Sequence, residues 1–163
     1  MMLMVLPHGR ISSILSQPGA MAVVEKSVLI ERTAATMFEL VDRVEDYPKF
    51  LPWCGGTELF ERTSEKTVAR IDINYHGAKA HFSTENRKLY PLRMDITLLE
   101  GPFRHLNGSW HFKPLGDSAC KVEFHLHYEF SSKLLEKALG AVFNHIANTF
   151  VESFVKRAQH LHG

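Results

Sequence analysis

Between Ala69 and Phe130, apolar residues recur at every second position in one segment after another. From Ser132 onward they recur every three to four residues until the chain ends. This change of period constrains the fold more than any other feature. Period two marks strands that bury one face, and a period of 3.6 marks a helix that buries one stripe. Ala69, Ile71, Ile73 and Tyr75 alternate with Arg70, Asp72 and Asn74, and Ala78, Ala80, Phe82 and Thr84 alternate with Lys79, His81, Ser83 and Glu85. His76-Gly77 between them has the chemistry of a tight hairpin turn. Leu92, Met94, Ile96 and Leu98 follow Pro91 and end at Gly101-Pro102, and Leu106, Gly108, Trp110 and Phe112 make the next strand. After a turn at Leu115-Gly116-Asp117, the clearest strand carries Val122, Phe124, Leu126, Tyr128 and Phe130. Strands joined by such short turns pair antiparallel.

In the C-terminal segment, Ser132 is placed to cap a helix in which Leu135, Leu139, Val142, Phe143, Ile146, Phe150, Phe154 and Ala158 share one stripe. A helix from about Lys133 to Leu161 reaches roughly 40 Å, longer than a nine-residue strand, so it can lie across the whole sheet. Glu136 in its first turn and Lys156, Arg157 and His160 near its end suit the helix dipole. Gly140 costs that helix about 1 kcal/mol against alanine and marks a close approach of backbone to sheet or ligand. Upstream, Val23 to Ile30 reads as a strand, and Thr33 as the N-cap of a short helix carrying Ala34, Phe38, Leu40 and Val41. No repeat or linker interrupts this order, so residues 21–163 form one α+β domain with helices on one face of a curled antiparallel sheet.

Residues 44 to 54, Val-Glu-Asp-Tyr-Pro-Lys-Phe-Leu-Pro-Trp-Cys, connect the short helix to the sheet. Pro48 and Pro52 exclude a long helix or a central strand, which makes the segment a stiff elbow. Tyr47, Phe50, Leu51 and Trp53 carry an apolar area that requires a partner surface or a ligand.

Bulk composition excludes several classes. With 19 basic and 18 acidic residues the formal charge is +1, so no global field points to nucleic acid or an anionic membrane, and any such binding must use a local patch. Cys54 and Cys120 fit neither a disulfide framework nor a zinc spacing and read as reduced cytosolic thiols. The six apolar residues before Pro7 lack a preceding cationic region and so do not make an export signal; residues 1–20 are expected to be a disordered or non-native extension. No stretch of eighteen apolar residues occurs. The nucleophile elbow, the P-loop, the dinucleotide fingerprint and the zincin motif are all absent, and the inward set offers only Thr84, Tyr75 and Tyr128 as polar groups, so catalysis is not expected. His111, His125 and His127 fall on the outward face without partnering cysteines, which reads as a solvated surface rather than a metal site. With Arg104, His105, Lys113 and Lys121 that face is weakly basic, diluted by Glu123 and Glu129.

LVDRVEDYPKFLPWC, the run GPFRHLNGSWHFKPL, the strand CKVEFHLHYEF and the C-terminal FVKRA together resemble the coenzyme-Q-binding and ribosome-association-toxin (RatA) family. That family sits within the START-like, polyketide-cyclase-like superfamily. The resemblance covers about residues 22 to 160. It implies a helix-grip fold, in which the curved sheet wraps the long C-terminal helix and encloses an apolar cavity. It also implies one of two functions: binding of ubiquinone or a related isoprenoid or lipid as a carrier supporting respiration, or binding of the large ribosomal subunit to block subunit joining. A cyclase-like activity is a weaker third. Trp53 departs from the small residue that some toxin-like members carry, and Arg43 from the acidic residue or asparagine common in relatives.

On this basis the ligand-binding set comprises Phe50, Leu51 and Trp53 from the elbow, and Ile71, Ile73, Phe82, Met94, Trp110, Phe112, Leu126 and Tyr128 from the sheet. Phe143, Phe150 and Phe154 complete it from the helix. The elbow is expected to be a lid at one mouth of the cavity, and Tyr128 or Trp110 to donate a hydrogen bond to a quinone carbonyl. Trp110→Ala is expected to lower bound quinone with the fold intact. No cofactor is required. Apart from the ligand, expected partners are the large ribosomal subunit and peripheral contact with the inner membrane, in a protein of the cytoplasm.

Overall fold

Thr33 and Ser132 start the two helices as capping residues. The Thr33 hydroxyl oxygen accepts from the Thr36 amide at 3.1 Å and that of Ser132 from the Leu135 amide at 3.1 Å, each satisfying a donor that the first turn leaves unpaired. The computed structural model describes residues 3–5, 10–12 and 21–162. In chain order the elements are β1 (Leu3–Val5), β2 (Arg10–Ser12), β3 (Ala22–Ile30), α1 (Ala34–Asp42), a 3-10 turn (Val44–Lys49), β4 (Cys54–Arg62) and β5 (Lys66–Tyr75). They continue with β6 (Ala78–Leu89), β7 (Arg93–Glu100), β8 (Phe103–Pro114), β9 (Cys120–Phe130) and α2 (Lys133–His162).

The sheet runs β3-β9-β8-β7-β6-β5-β4, antiparallel throughout, with β1 and β2 both pairing β3. The expectation that residues 1–20 lie outside the fold falls mostly on residues not described. The two described stretches pair Leu3 with Ile30 and Arg10 with Glu25.

The strands sit where alternation places them. The β5–β6 hairpin turns on His76 and Gly77, both at positive φ (50° and 85°), the twist that a two-residue hairpin requires. In β9, Val122, Phe124, Leu126, Tyr128 and Phe130 are all buried. Alternation breaks in β8, where Phe103 and Leu106 are both buried across a register shift, and in β6 at Phe82, Ser83 and Thr84, which are buried in succession. A register shift in the β6–β7 ladder at Ser83/Thr84 places the extra residue on β7, and Phe82, Thr84 and Asn86 keep one phase facing inward. Gly108 is required by packing, because a Cβ there would lie 2.3 Å from the His125 carbonyl oxygen on the neighbouring strand.

Two elements differ from the sequence reading. The elbow's first half is a 3-10 turn with Pro48 inside it. Cys54 to Arg62, absent from the expected strands, form the edge strand β4; it is mostly exposed and has two irregularities in register, so it presents no alternation to read. Leu92, expected in β7, lies in the preceding turn and is exposed.

Along α2 the first ten residues contain no buried side chain, and Leu135 and Leu139 are only half-buried. Burial begins at Phe143 and continues through Ile146, Ala147, Val151, Phe154, Val155 and Ala158. The helix therefore grips the sheet with its C-terminal two thirds. Among the described residues, no helix is long and apolar enough to cross a membrane.

Candidate functional site

Between the concave face of the sheet and α2 lies a cavity with about 60 Å³ open to the centre of a water molecule. Its floor is Ala69 and Ile71 of β5, Phe82, Thr84 and Asn86 of β6, Ile96 of β7, Leu106 and Trp110 of β8, and Phe124 and Leu126 of β9. Phe143, Ile146, Ala147 and Phe150 of α2 roof it, and Val44, Tyr47 and Trp53 close the elbow side. The rings form a continuous set: Trp110 lies 4.6 Å from Phe124 and 5.7 Å from Phe150, and Phe150 lies 6.0 Å from Trp53, centroid to centroid. Such separations are those at which aromatic pairs attract.

Few polar groups reach this space. The Thr84 hydroxyl donates to Asn86 Oδ1 at 3.0 Å, which leaves the amide nitrogen of Asn86 as the free donor of the pair. The Tyr47 hydroxyl is taken up by the Val41 carbonyl, and burial first, then the nearby Asp42 carboxylate, holds the phenol protonated far above its ordinary value. Trp53 is 2% exposed and its indole nitrogen has no hydrogen-bond partner. Among the described residues the lining holds no carboxylate, histidine, lysine or cysteine, and its ionisable side chain is the Tyr47 phenol.

The elbow is clamped from outside. Arg62 on β4 donates to both carboxylate oxygens of Glu45, at 2.7 and 2.8 Å, and to the Asp42 carbonyl at 2.7 Å. Asp42 in turn accepts from Thr67 at 2.6 Å and from the Lys88 ammonium at 3.1 Å. The end of α1 is thereby tied to β4, β5 and β6.

Of the residues expected to bind a ligand, Trp53, Ile71, Phe82, Trp110, Leu126, Phe143 and Phe150 line the cavity, and the other seven do not. Phe112 packs under Phe38 of α1 at 5.6 Å, and Met94 is fully buried on β7 opposite Trp110. Ile73 sits toward the hairpin end of β5, paired with Ala80 and Cys54. Tyr128 packs on Phe143 at 4.7 Å and reaches Asn144 Oδ1 at 3.4 Å, so it is no donor to the cavity; burial pushes its phenol up to about 12. Leu51 is buried beneath the elbow, and Phe154 packs on Tyr47 and Phe50 at 5.3 and 5.2 Å. Phe50 faces outward, under the guanidinium of Arg157 at 5.2 Å. Period two identifies the face of a strand but not the depth along it, and depth decides which inward residues meet the void. Ten lining residues lie outside the expected ligand set; Asn86 and Ala147 are those that no sequence pattern had singled out, whereas Tyr47 had been read in the elbow and Ala69 on the inward face of β5. Asn86 keeps the phase of Phe82 and Thr84 but is polar, and the alanines are small.

Trp110 is 1% exposed and packs against Phe112, Phe124, Phe150 and Phe154. Its truncation removes a core keystone, contrary to the expectation of an intact fold. On the convex face His111 and His125 lie 6.2 Å apart, and Glu123 holds Lys113 at 2.8 Å and Lys121 at 3.5 Å. That carboxyl lies below its ordinary range, chiefly through the Lys113 hydrogen bond.

A curved antiparallel sheet closed by one long C-terminal helix over an apolar cavity defines a class of ligand-enclosing domains. The profile of the family described as "Polyketide cyclase / dehydrase and lipid transport" matches residues 30–155, and the chain belongs to that START-like family, in the branch that carries the RatA and coenzyme-Q-binding names. The ribosome association toxin RatA of Vibrio cholerae is 39% identical over 143 residues, 88% of this chain and 99% of that one. A mitochondrial coenzyme Q-binding protein homologue of Xenopus laevis is 24% identical, covering 78% of this chain and 54% of that one. An 18 kDa Caulobacter crescentus protein solved in solution superposes with a TM-score of 0.65 at 34% identity, over 88% of this chain and 98% of that one. The ZhuI aromatase/cyclase of a Streptomyces species gives a TM-score of 0.69 at 18% identity, over 85% and 94%, a likeness of fold alone.

Proposed function

We propose that the cavity receives the ring end of a lipophilic ligand, with ubiquinone or a related isoprenoid as the leading candidate, and that the chain is a carrier or chaperone for it. The observation behind this reading is an aromatic-walled void whose polar content is the Thr84–Asn86 pair, suited to a ring bearing one or two carbonyl acceptors. A buried chain would contribute about 0.8 kcal/mol per methylene, so no charged anchor is needed. The void holds on the order of two waters. Ligand pockets commonly span about 300 Å³ or more, so uptake requires α2 and the elbow to part. The unburied first ten residues of α2 are the section with least to lose. In this reading the protein works in the cytoplasm and touches the inner membrane peripherally to load.

Solvent extraction of purified protein followed by mass spectrometry tests it. A quinone or isoprenoid should be recovered from wild type and lost from Ala69→Val, which adds two carbons to the cavity wall. Extracts free of lipid, or equal recovery from both proteins, reject the reading.

A second reading is favoured by a separate observation: the Vibrio relative, named a ribosome association toxin, matches across nearly its entire length. Here the chain docks on the large ribosomal subunit and blocks subunit joining. Cosedimentation with purified 50S subunits, and loss of 70S particles on its addition, are expected; free protein at the top of the gradient excludes this reading.

A further inference from the structure

Outside the cavity, a second concavity runs between the elbow and the C-terminal half of α2, with about 420 Å³ open to the centre of a water molecule. Its lysines and arginine are Lys49 from the elbow and Lys156 and Arg157 from the helix, with His145 and His160 beside them, and no carboxylate is among its lining residues. Lys49 is tied to Asp46 at 3.0 Å, and Glu152 lines the separate groove on the other side of Lys156. Lys156 and Arg157 make no ion pair among the described residues.

Two buried donors on this groove lack an acceptor: the indole nitrogen of Trp53 and Nε of Arg157. Both atoms are out of reach of solvent, so an anionic ligand oxygen meets them only once the elbow and α2 shift apart. The neighbouring Phe50 ring, already under the Arg157 guanidinium, adds an aromatic face. His145 and His160, at the two ends of the helical lining, are fifteen residues apart, so the groove extends about 22 Å along α2. That length fits several successive phosphates rather than one head group. The concave shape admits a strand and keeps a flat bilayer at its rim.

We propose that this groove binds the phosphodiester backbone of single-stranded RNA, with Lys156, Arg157 and His160 on the phosphates and Phe50 as a base-stacking face. Positive grooves set with aromatics are the usual solution for such strands. The proposal rests on the ribosome-docking reading and places the RNA contact on the helix, not on the convex face with its interleaved glutamates.

Fluorescence anisotropy with a labelled twelve-nucleotide oligouridylate tests it, using the full chain, Lys156→Gln/Arg157→Gln, and the exposed-site variant Lys156→Glu/His160→Glu. Wild type is expected to bind with an affinity that falls steeply with salt. Each double variant should bind at least tenfold more weakly, and the glutamine pair should flatten the log–log salt slope by about one to two. Circular dichroism checks that the variants fold. Absence of wild-type binding, unchanged binding by the exposed-site variant, or equal sensitivity of anionic vesicle binding without RNA binding overturns the proposal. Cosedimentation with 50S subunits is run in parallel. If wild type and both variants cosediment equally, the ribosome reading stands and the groove assignment falls. If RNA binding depends on the groove while no protein cosediments, the assignment stands and the ribosome reading falls.

Discussion

The Lys88 ammonium, its side chain 6% exposed, is held by Asp42 Oδ2 at 3.1 Å across the join between β6 and the end of α1. Asp42 is also the anchor for Thr67, so one carboxylate satisfies two groups beneath the elbow. Removing it strands a buried cation. Asp42→Ala is expected to cost about 3 kcal/mol, read as a lower urea midpoint with unchanged slope. Lys88→Met, which removes the charge along with the need for a partner, should cost less than Asp42→Ala. Equal losses would show that the pair acts only through packing.

Gly108 pairs with Leu126 on one side and Ile96 on the other, and its Cα faces the His125 carbonyl too closely for any side chain. Gly108→Ala must push β8 from β9, and a loss of about 2–3 kcal/mol is expected from overpacking. Gly116, with nothing within 4 Å of a Cβ, is the control. Its positive φ of 76° makes Gly116→Ala cost about 1 kcal/mol through backbone strain alone. Thermal melts of the two variants should separate them clearly.

Trp110 occupies the centre of the ring set, and Trp110→Ala is expected to cost about 3–5 kcal/mol. Trp110→Phe keeps much of the packing and should cost about half as much. If chemical denaturation shows Trp110→Ala within 1 kcal/mol of wild type, the core around it collapses without penalty and the ring set is not rigid.

Both thiols are buried, and burial pushes each up to about 11; for Cys54 this outweighs its hydrogen bond to the Gly56 carbonyl. The thiolate is the reactive form, so at pH 8 each is about a thousandfold depleted in it. Neither cysteine should react with Ellman's reagent on the timescale of minutes in native protein, and both should react at once in denaturant. Fast native labelling at pH 8 would show local opening of β4 or β9.

The Glu45 carboxyl lies below its ordinary value of 4.5, chiefly through the hydrogen bond from Arg62. Its folded pKa is depressed, so the linked stability is fully present above about pH 4.5 and is lost as pH falls through the lower, folded value. The pair is partly exposed, so screening limits the effect to no more than about 1 kcal/mol. Acid titration of Arg62→Gln should therefore show a shallower loss of stability below pH 4.5 than wild type. Parallel curves would show that the Glu45–Arg62 pair adds nothing to stability in this range.

How far the sequence could be read depended on whether each signal was local. The β5–β6 hairpin, the β9 alternation and the Thr33 and Ser132 caps are set by neighbours within a few residues, and the structure has them where the pattern puts them. β4 was invisible because an exposed, irregular edge strand has no buried face to alternate against. Within the candidate site, Trp110 and Leu126 were legible as inward residues. Phe112 and Met94, equally inward, pack against other parts of the core.

The sequence by itself determined the fold class, the order of its elements and the apolar character of the inner face, because period and turn chemistry act along the chain. Only the tertiary structure decided which inward side chains border the void, that the polar Asn86 is among them, and that the elbow is clamped by Arg62 from β4. It also decided that Trp53 and Arg157 keep unpaired donors beside a basic groove. These features depend on how residues seventeen to more than a hundred positions apart meet in space, and close packing, not local periodicity, sets those distances.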